Sequence, residues 1–144
     1  MVPKLVGLAL AAFLVGGNAW AAGQDSPNVT VADIERHLAL KDYAGAIEQA
    51  KIIVDASPWN ADAFNLMGFA LRHLARFGEA EKAYARVLRL NPDHAGAHEY
   101  LGELYIQTGH IDQARAQLNK LEAICGKECR EYKMLADAIA AAGG

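Results

Sequence analysis

The residues best equipped for chemistry in this chain are two cysteines and a pair of histidines. Cys125 and Cys129 stand in a C-x3-C spacing. On one uninterrupted helix their Cβ atoms would lie roughly 5–6 Å apart, whereas a disulfide wants about 3.5–4.5 Å. Gly126, between them, is placed to break the helix. A bond closed there would be a structural disulfide, stabilising by only about 2 kcal/mol because the loop is so short. The alternatives for the pair are a redox-active dithiol, for which the C-x-x-C spacing is absent, and a thiolate metal site. His94 and His98 are spaced i, i+4, with Glu99 beside them and Glu103 one turn on. Two histidines on one helical face can share a metal. The competing reading, preferred here, makes His98 a packing residue and His94 a helix-terminal one. No glycine-rich phosphate loop and no nucleophile with an adjacent base occur. The expectation is therefore a chain with no catalytic residues, no metal site and no cofactor.

The elements that must position these residues are helices. Over 61–93, Phe64, Met67, Gly68, Leu71 and Leu74 recur at spacings of three and four. After a break around Ala75–Gly78, Ala80, Ala83, Tyr84, Val87 and Leu88 do the same. That is the period of helices with one buried face. Two such short helices form a hairpin that cannot bury its apolar faces alone. The pattern recurs at an offset of 34 residues: Ala46, Ala80 and Ala114 fall in one column, Tyr43, Phe77 and Ile111 in another, and Ile53, Val87 and Leu121 in a third. Gly68 pairs with Gly102, Leu71 with Tyr105, and Pro58 with Pro92. The prolines lack an N–H and disfavour helix at the residue before, so each ends one hairpin and aims the next. Asn60 and Asp93, just after them, are expected N-caps.

These columns resemble the tetratricopeptide repeat, a 34-residue helix–turn–helix. Met67-Gly68, Leu71, Ala80, Tyr84 and Pro92 match its pattern in the central unit, and Leu101-Gly102, Tyr105, Gly109 and Ala114 in the next. The resemblance implies an all-α helical-hairpin solenoid of three repeats, framed as 27–60, 61–94 and 95–128, with a capping helix over 129–144.

The ends of the chain differ from its middle. The sequence has 144 residues, 53% hydrophobic and 22% charged, with a formal charge of −3. That balance allows one domain with a real core and has no basic excess to suggest nucleic acid. Residues 1–21 read as a Sec-type signal peptide: Lys4, the apolar run Leu5 to Val15, and Ala19-Trp20-Ala21 as a cleavage site. An uncleaved anchor is the alternative, although the apolar run is short for a bilayer. Residues 22–26 are a short leader. In the first repeat Thr30 and Asp33 resemble a capping pair. Asp33 and His37 replace the family's Leu and aromatic, and are expected to be solvated. After Cys129, Tyr132, Leu135, Ala136 and Ile139 recur at helical spacing, as a solubilising cap helix would.

With no catalytic constellation, function is expected at a surface. The resemblance implies a concave groove lined by the first helix of each repeat. Its columns here are Glu35 and Leu38, then Asp62, Asn65, Phe69 and Arg72, then Glu99, Glu103 and Ile106. Family members that grip a peptide's C-terminal carboxylate use Lys and Asn at these columns, which here are mostly acidic. Phe69, expected to be exposed, is either an anchor for a partner or packs against the first repeat. The expected function is a non-catalytic interaction module, periplasmic or secreted, holding a protein or peptide partner with basic and apolar character. The alternative is a small thiol- or metal-handling protein that uses Cys125 and Cys129.

Overall fold

Seven helices follow one another through residues 28–143, the part of the chain that this computed structural model describes, and no strand occurs among those residues. They are α1 (Val31–Ala39), α2 (Tyr43–Ala56), α3 (Ala61–His73), α4 (Phe77–Leu90), α5 (Ala95–Gln107), α6 (Ile111–Cys125) and α7 (Arg130–Ala141). The expected signal segment and leader lie outside the described residues.

Short polar side chains start the first three helices, because the first backbone N–H groups have no partner inside the helix. Thr30 and Asp33 form a reciprocal capping box on α1. Asp42 accepts from the Gly45 N–H at the start of α2, and Asn60 from the Ala63 N–H at the start of α3. At α5 the expected cap, Asp93, is displaced by one residue. His94 takes the role, its Nδ1 accepting from the Ala97 N–H at 3.1 Å. His94 is the residue 34 positions after Asn60, so the repeat register rather than cap propensity decides the site. Asp33 and His37, expected to be solvated, are engaged locally. Asp33 caps α1 and pairs with Arg36, and His37 Nδ1 lies 2.8 Å from the cap residue Asp42.

The turn inside each hairpin requires one residue in the left-handed region. Lys41, Ala75 and Gly109 fill that place at φ 57°, 56° and 79°, again 34 residues apart. Only the third is glycine, the residue that adopts this conformation without a Cβ clash. Leu74, read as part of the apolar stripe, sits just past the end of α3 and is 42% exposed.

Each pair α1–α2, α3–α4 and α5–α6 packs as a hairpin, and α7 docks on α5 and α6. Along the stack, α1 touches α3, α3 touches α5, and α5 touches α7. The second helices α2, α4 and α6 do not approach one another. The stack therefore curves, with the first helices on its inner side. Small residues allow the close approach. A Cβ on Gly68 would lie 2.6 Å from the ring of Tyr84, and one on Gly102 would lie 2.5 Å from a Leu135 methyl. The core runs from Ile34 through Ile47, Leu71 and Tyr84 to Leu101 and Leu104, and continues beneath α7 with Leu121, Leu135 and Ile139.

Candidate functional site

The inner face is built from α1, α3, α5 and α7, and aromatic and charged side chains are joined across its seams. On α3 the Phe69 ring stands 5.0 Å from Tyr100 of α5 and 4.4 Å from His73. His73 also stacks on Tyr43 of α2 at 4.6 Å. Burial, followed by the Arg72 charge, holds the His73 imidazole below its usual pKa, so it stays neutral in this stack. The Arg72 guanidinium lies 5.5 Å from the centre of the Phe69 ring and 6.0 Å from that of Tyr100. It also pairs with Glu103 across the α3–α5 seam. A pocket of about 220 Å³ opens beside that pair, lined by Arg72, Glu103, Ile106, Gln107 and Ala138.

Several residues expected to face a partner are turned inward. Arg72 is buried, with its charge committed to Glu103, and is no free cation. Asn65 is buried against the bare backbone of Gly96. Glu99 is fully enclosed at the α5–α7 seam, and neither carboxylate oxygen has a hydrogen-bond partner. Burial above all, and then the nearby Glu103 charge, push its pKa up to about 7. Of the four carboxylates expected in the groove, Glu35 and Asp62 are thus exposed, Glu103 is paired with Arg72, and Glu99 is enclosed. Phe69 is half-buried rather than exposed, and its ring meets Tyr100 of the third repeat. Ile106 and Leu38 are half-buried on the same face. Asp62 is exposed and lies 3.2 Å from His94 Nε2.

Tyr100 and His73 were missed at these columns. The signal was available in spacing: Tyr100 falls 31 residues after Phe69, one repeat less about one helical turn. The aromatics are therefore offset by one turn on neighbouring helices, where the two rings meet tilted by 56°.

The two histidines are not brought together as ligands. His94 caps α5 with one nitrogen and meets Asp62 with the other. His98 is buried, with Nδ1 2.7 Å from the Gln117 amide and Nε2 donating to the Pro92 carbonyl at 2.8 Å. At the cysteines the helix does break. α6 ends at Cys125, Gly126 takes φ 76°, and Cys129 stands at the N-cap of α7, with the two Cα atoms 5.8 Å apart. That distance suits a disulfide. Glu131 supplies a third donor atom within 4.8 Å of the sulfurs. It is already paired with Arg130, and a closed structural zinc site takes four ligands. No helix among the described residues is long and apolar enough to cross a membrane.

Residues 71–139 match the family model of the tetratricopeptide repeat. Solved structures extend that likeness over most of the chain. The TPR2B domain of yeast Sti1, in complex with pHsp70, superposes with a TM-score of 0.71 at 14% identity, covering 78% of this chain and 91% of that one. The fold is that of a tetratricopeptide solenoid. The first such domain of Spaghetti (RPAP3), bound to the HSP90 peptide SRMEEVD, gives a TM-score of 0.68 at 17% identity over 78% of this chain and 90% of that one. MamA gives 0.67 at 24% identity over 82% and 71%. Among curated proteins, the DnaJ protein P58IPK homolog B of rice (Oryza sativa subsp. japonica) is 23% identical over 126 residues. That match covers 78% of this chain and 27% of the relative. The inactive TPR repeat-containing thioredoxin TTL3 of Arabidopsis thaliana is 36% identical over 86 residues, 60% of this chain and 12% of the relative. The chain spans about a quarter or less of the length of these relatives.

Proposed function

We propose that this solenoid is a non-catalytic interaction module that holds a protein or peptide segment against its inner face. The observation that carries this reading is the half-buried ledge of Phe69, Tyr100 and Ile106, beside the small pocket over the Arg72–Glu103 pair. Aromatic anchors near the centre of an interface supply most of its energy. The ledge is held rigid by ring packing and the ion pair, so little ordering is needed on binding. The similar domains solved with Hsp70 and with an HSP90 peptide support the same use of the fold. With Glu35, Asp62 and Glu103 as the groove's carboxylates, the matching partner is a segment with an apolar anchor flanked by basic residues.

The module is proposed to work outside the cytoplasm, in the periplasm, after residues 1–21 have been removed as a signal peptide. The Cys125–Cys129 pair is then proposed to be a structural disulfide, the expected state of two neighbouring cysteines in an oxidising compartment. N-terminal sequencing of the exported protein should begin at or close to Ala22. Its intact mass should lie about two daltons below the dithiol value, the loss of two hydrogens on oxidation.

Capture from the native envelope fraction, followed by titration of the captured partner, tests the groove. Phe69→Ala should weaken binding about thirtyfold, close to 2 kcal/mol, with helical content unchanged. Because Phe69 also packs on Tyr100, Ile106→Ala serves as a second variant that leaves the aromatic cluster intact. A captured partner that binds both variants like the parent would move the interface off the inner face.

A further inference from the structure

Glu99 is the only fully enclosed carboxylate among the described residues, and it lies where α7 closes onto α5. The charged groups that face it are Glu103 on α5 itself, Arg72 on α3, and Arg130 and Glu131 in the first turn of α7. Arg72 is committed to Glu103 and Arg130 to Glu131, so neither cation closes on Glu99. Tyr100 stands beside it on α5, and α4 presents Tyr84 to the same interior, both phenols that burial keeps neutral. From α6, Gln117 reaches α5 only at His98. A neutral carboxyl can sit in this seam at the cost of an unmade hydrogen bond. A carboxylate sealed there without a donor is far more costly.

α7 is the element able to give way. It packs only on α5 and α6, and a four-residue link through the left-handed Gly126 joins it to α6. Its hold on the stack is Leu135 in the Gly102 notch, with Ile139 beyond, and the proposed Cys125–Cys129 disulfide ties its N-cap to the end of α6 while leaving its packing on α5 to side chains. The geometry points to Glu99 as a proton-operated latch. Neutral, Glu99 lets the first turn of α7 close over α5. Ionised, it loosens that turn and rotates out beside Glu103. The latch then adds a further carboxylate to the inner face as it opens, which favours a basic partner. That consequence rests on the interaction-module reading, whereas the latch does not.

Hydrogen exchange by mass spectrometry on the full chain needs no partner and so tests the latch separately. After correction for the intrinsic pH dependence of exchange, protection of amides in α7 should fall about tenfold per pH unit between pH 5 and 7 and then level off. Amides of α2, at the other end of the stack, should hold their protection. Glu99→Gln, an isosteric copy of the neutral form, should keep α7 protected across the whole range. Two results would overturn the proposal: the same pH profile in Glu99→Gln as in the parent, or loss of protection in α2 in step with α7.

Discussion

Gly68 and Gly102 stand at the same place in the second and third hairpins, and different elements fill the notch each one leaves. In the second hairpin the filler is Tyr84, from α4 of the same repeat. In the third it is Leu135, from α7. The polar column one turn earlier is met in both hairpins by the first turn of the helix that follows, but by different residues. Asn65 is buried against Gly96, which leaves it room, whereas Glu99 is buried beneath the first turn of α7, where Arg130 occupies the position corresponding to Gly96. The glycine notch of the second hairpin is therefore filled from within its own repeat, and that of the third by a helix that follows it. The lesson is that equal register does not give equal autonomy. A repeat's stability depends on which element fills its glycine notch.

Truncating the two fillers should break the comparison most visibly. Tyr84→Ala should cost about 3–5 kcal/mol and lower the midpoint of the whole denaturation curve, because the ring is fully buried at the centre of the stack. Leu135→Ala should cost about 2–4 kcal/mol, but show its loss first in hydrogen exchange of α7. Equal loss of protection in α3 and α7 for Leu135→Ala would contradict the difference in autonomy.

Next in size is the pair that ties the two hairpins together. Arg72→Ala leaves Glu103 without its cation and Phe69 and Tyr100 without their cap. It should cost about 2 kcal/mol in chemical denaturation, less than a fully buried pair would, since Glu103 keeps partial access to water.

The buried polar column offers a titration. Glu99 binds its proton more tightly in the folded protein, at about 7, than at the reference value of 4.5. Between those values the folded state holds a proton that the unfolded state has released, so stability falls as pH rises through that window. At about 1.4 kcal/mol per unit, Glu99→Gln should gain about 2 kcal/mol over the parent by pH 6 and almost nothing at pH 4. Asn65→Asp should transplant the same behaviour into the second hairpin, with a larger cost at pH 8 than at pH 4. Thermal melts of both variants across that range check the prediction.

The smallest effect concerns the turns. Ala75→Gly should stabilise by about 1 kcal/mol and Gly109→Ala should destabilise by about as much, since the two share one left-handed position. If the two exchanges move the melting temperature in the same direction, the turns are not equivalent.

The sequence made the hairpins legible because apolar residues recur at helical spacing and a fixed offset, with Gly68 and Gly102 at places where a Cβ would clash. The groove was harder to read. Its columns name which residues start out on the inner face, but long side chains choose a direction only when the neighbouring helix is in place. Arg72 turns into the seam because Glu103 lies across it, 31 residues away. Glu99 is covered because α7 arrives last. A local hint existed for Asn65, since Gly96, 31 residues on, leaves it room. For Glu99 the corresponding residue is Arg130, which suggested a surface rather than a burial. The outer slots were not anticipated at all, such as the pocket of about 430 Å³ lined in part by Ile47, Val54, Phe64 and Met67. They arise because α2 and α4 stand apart over α3.

Every helix in this stack touches only helices one or two places away in the chain. No contact has to wait for a distant segment to be made. Closing each hairpin costs the entropy of a short loop, and such topologies fold quickly. A chain that emerges N-terminus first, from a ribosome or through a membrane pore, could therefore settle hairpin by hairpin. Each new helix would find its docking surface already built, and α7 would arrive to shut the last one.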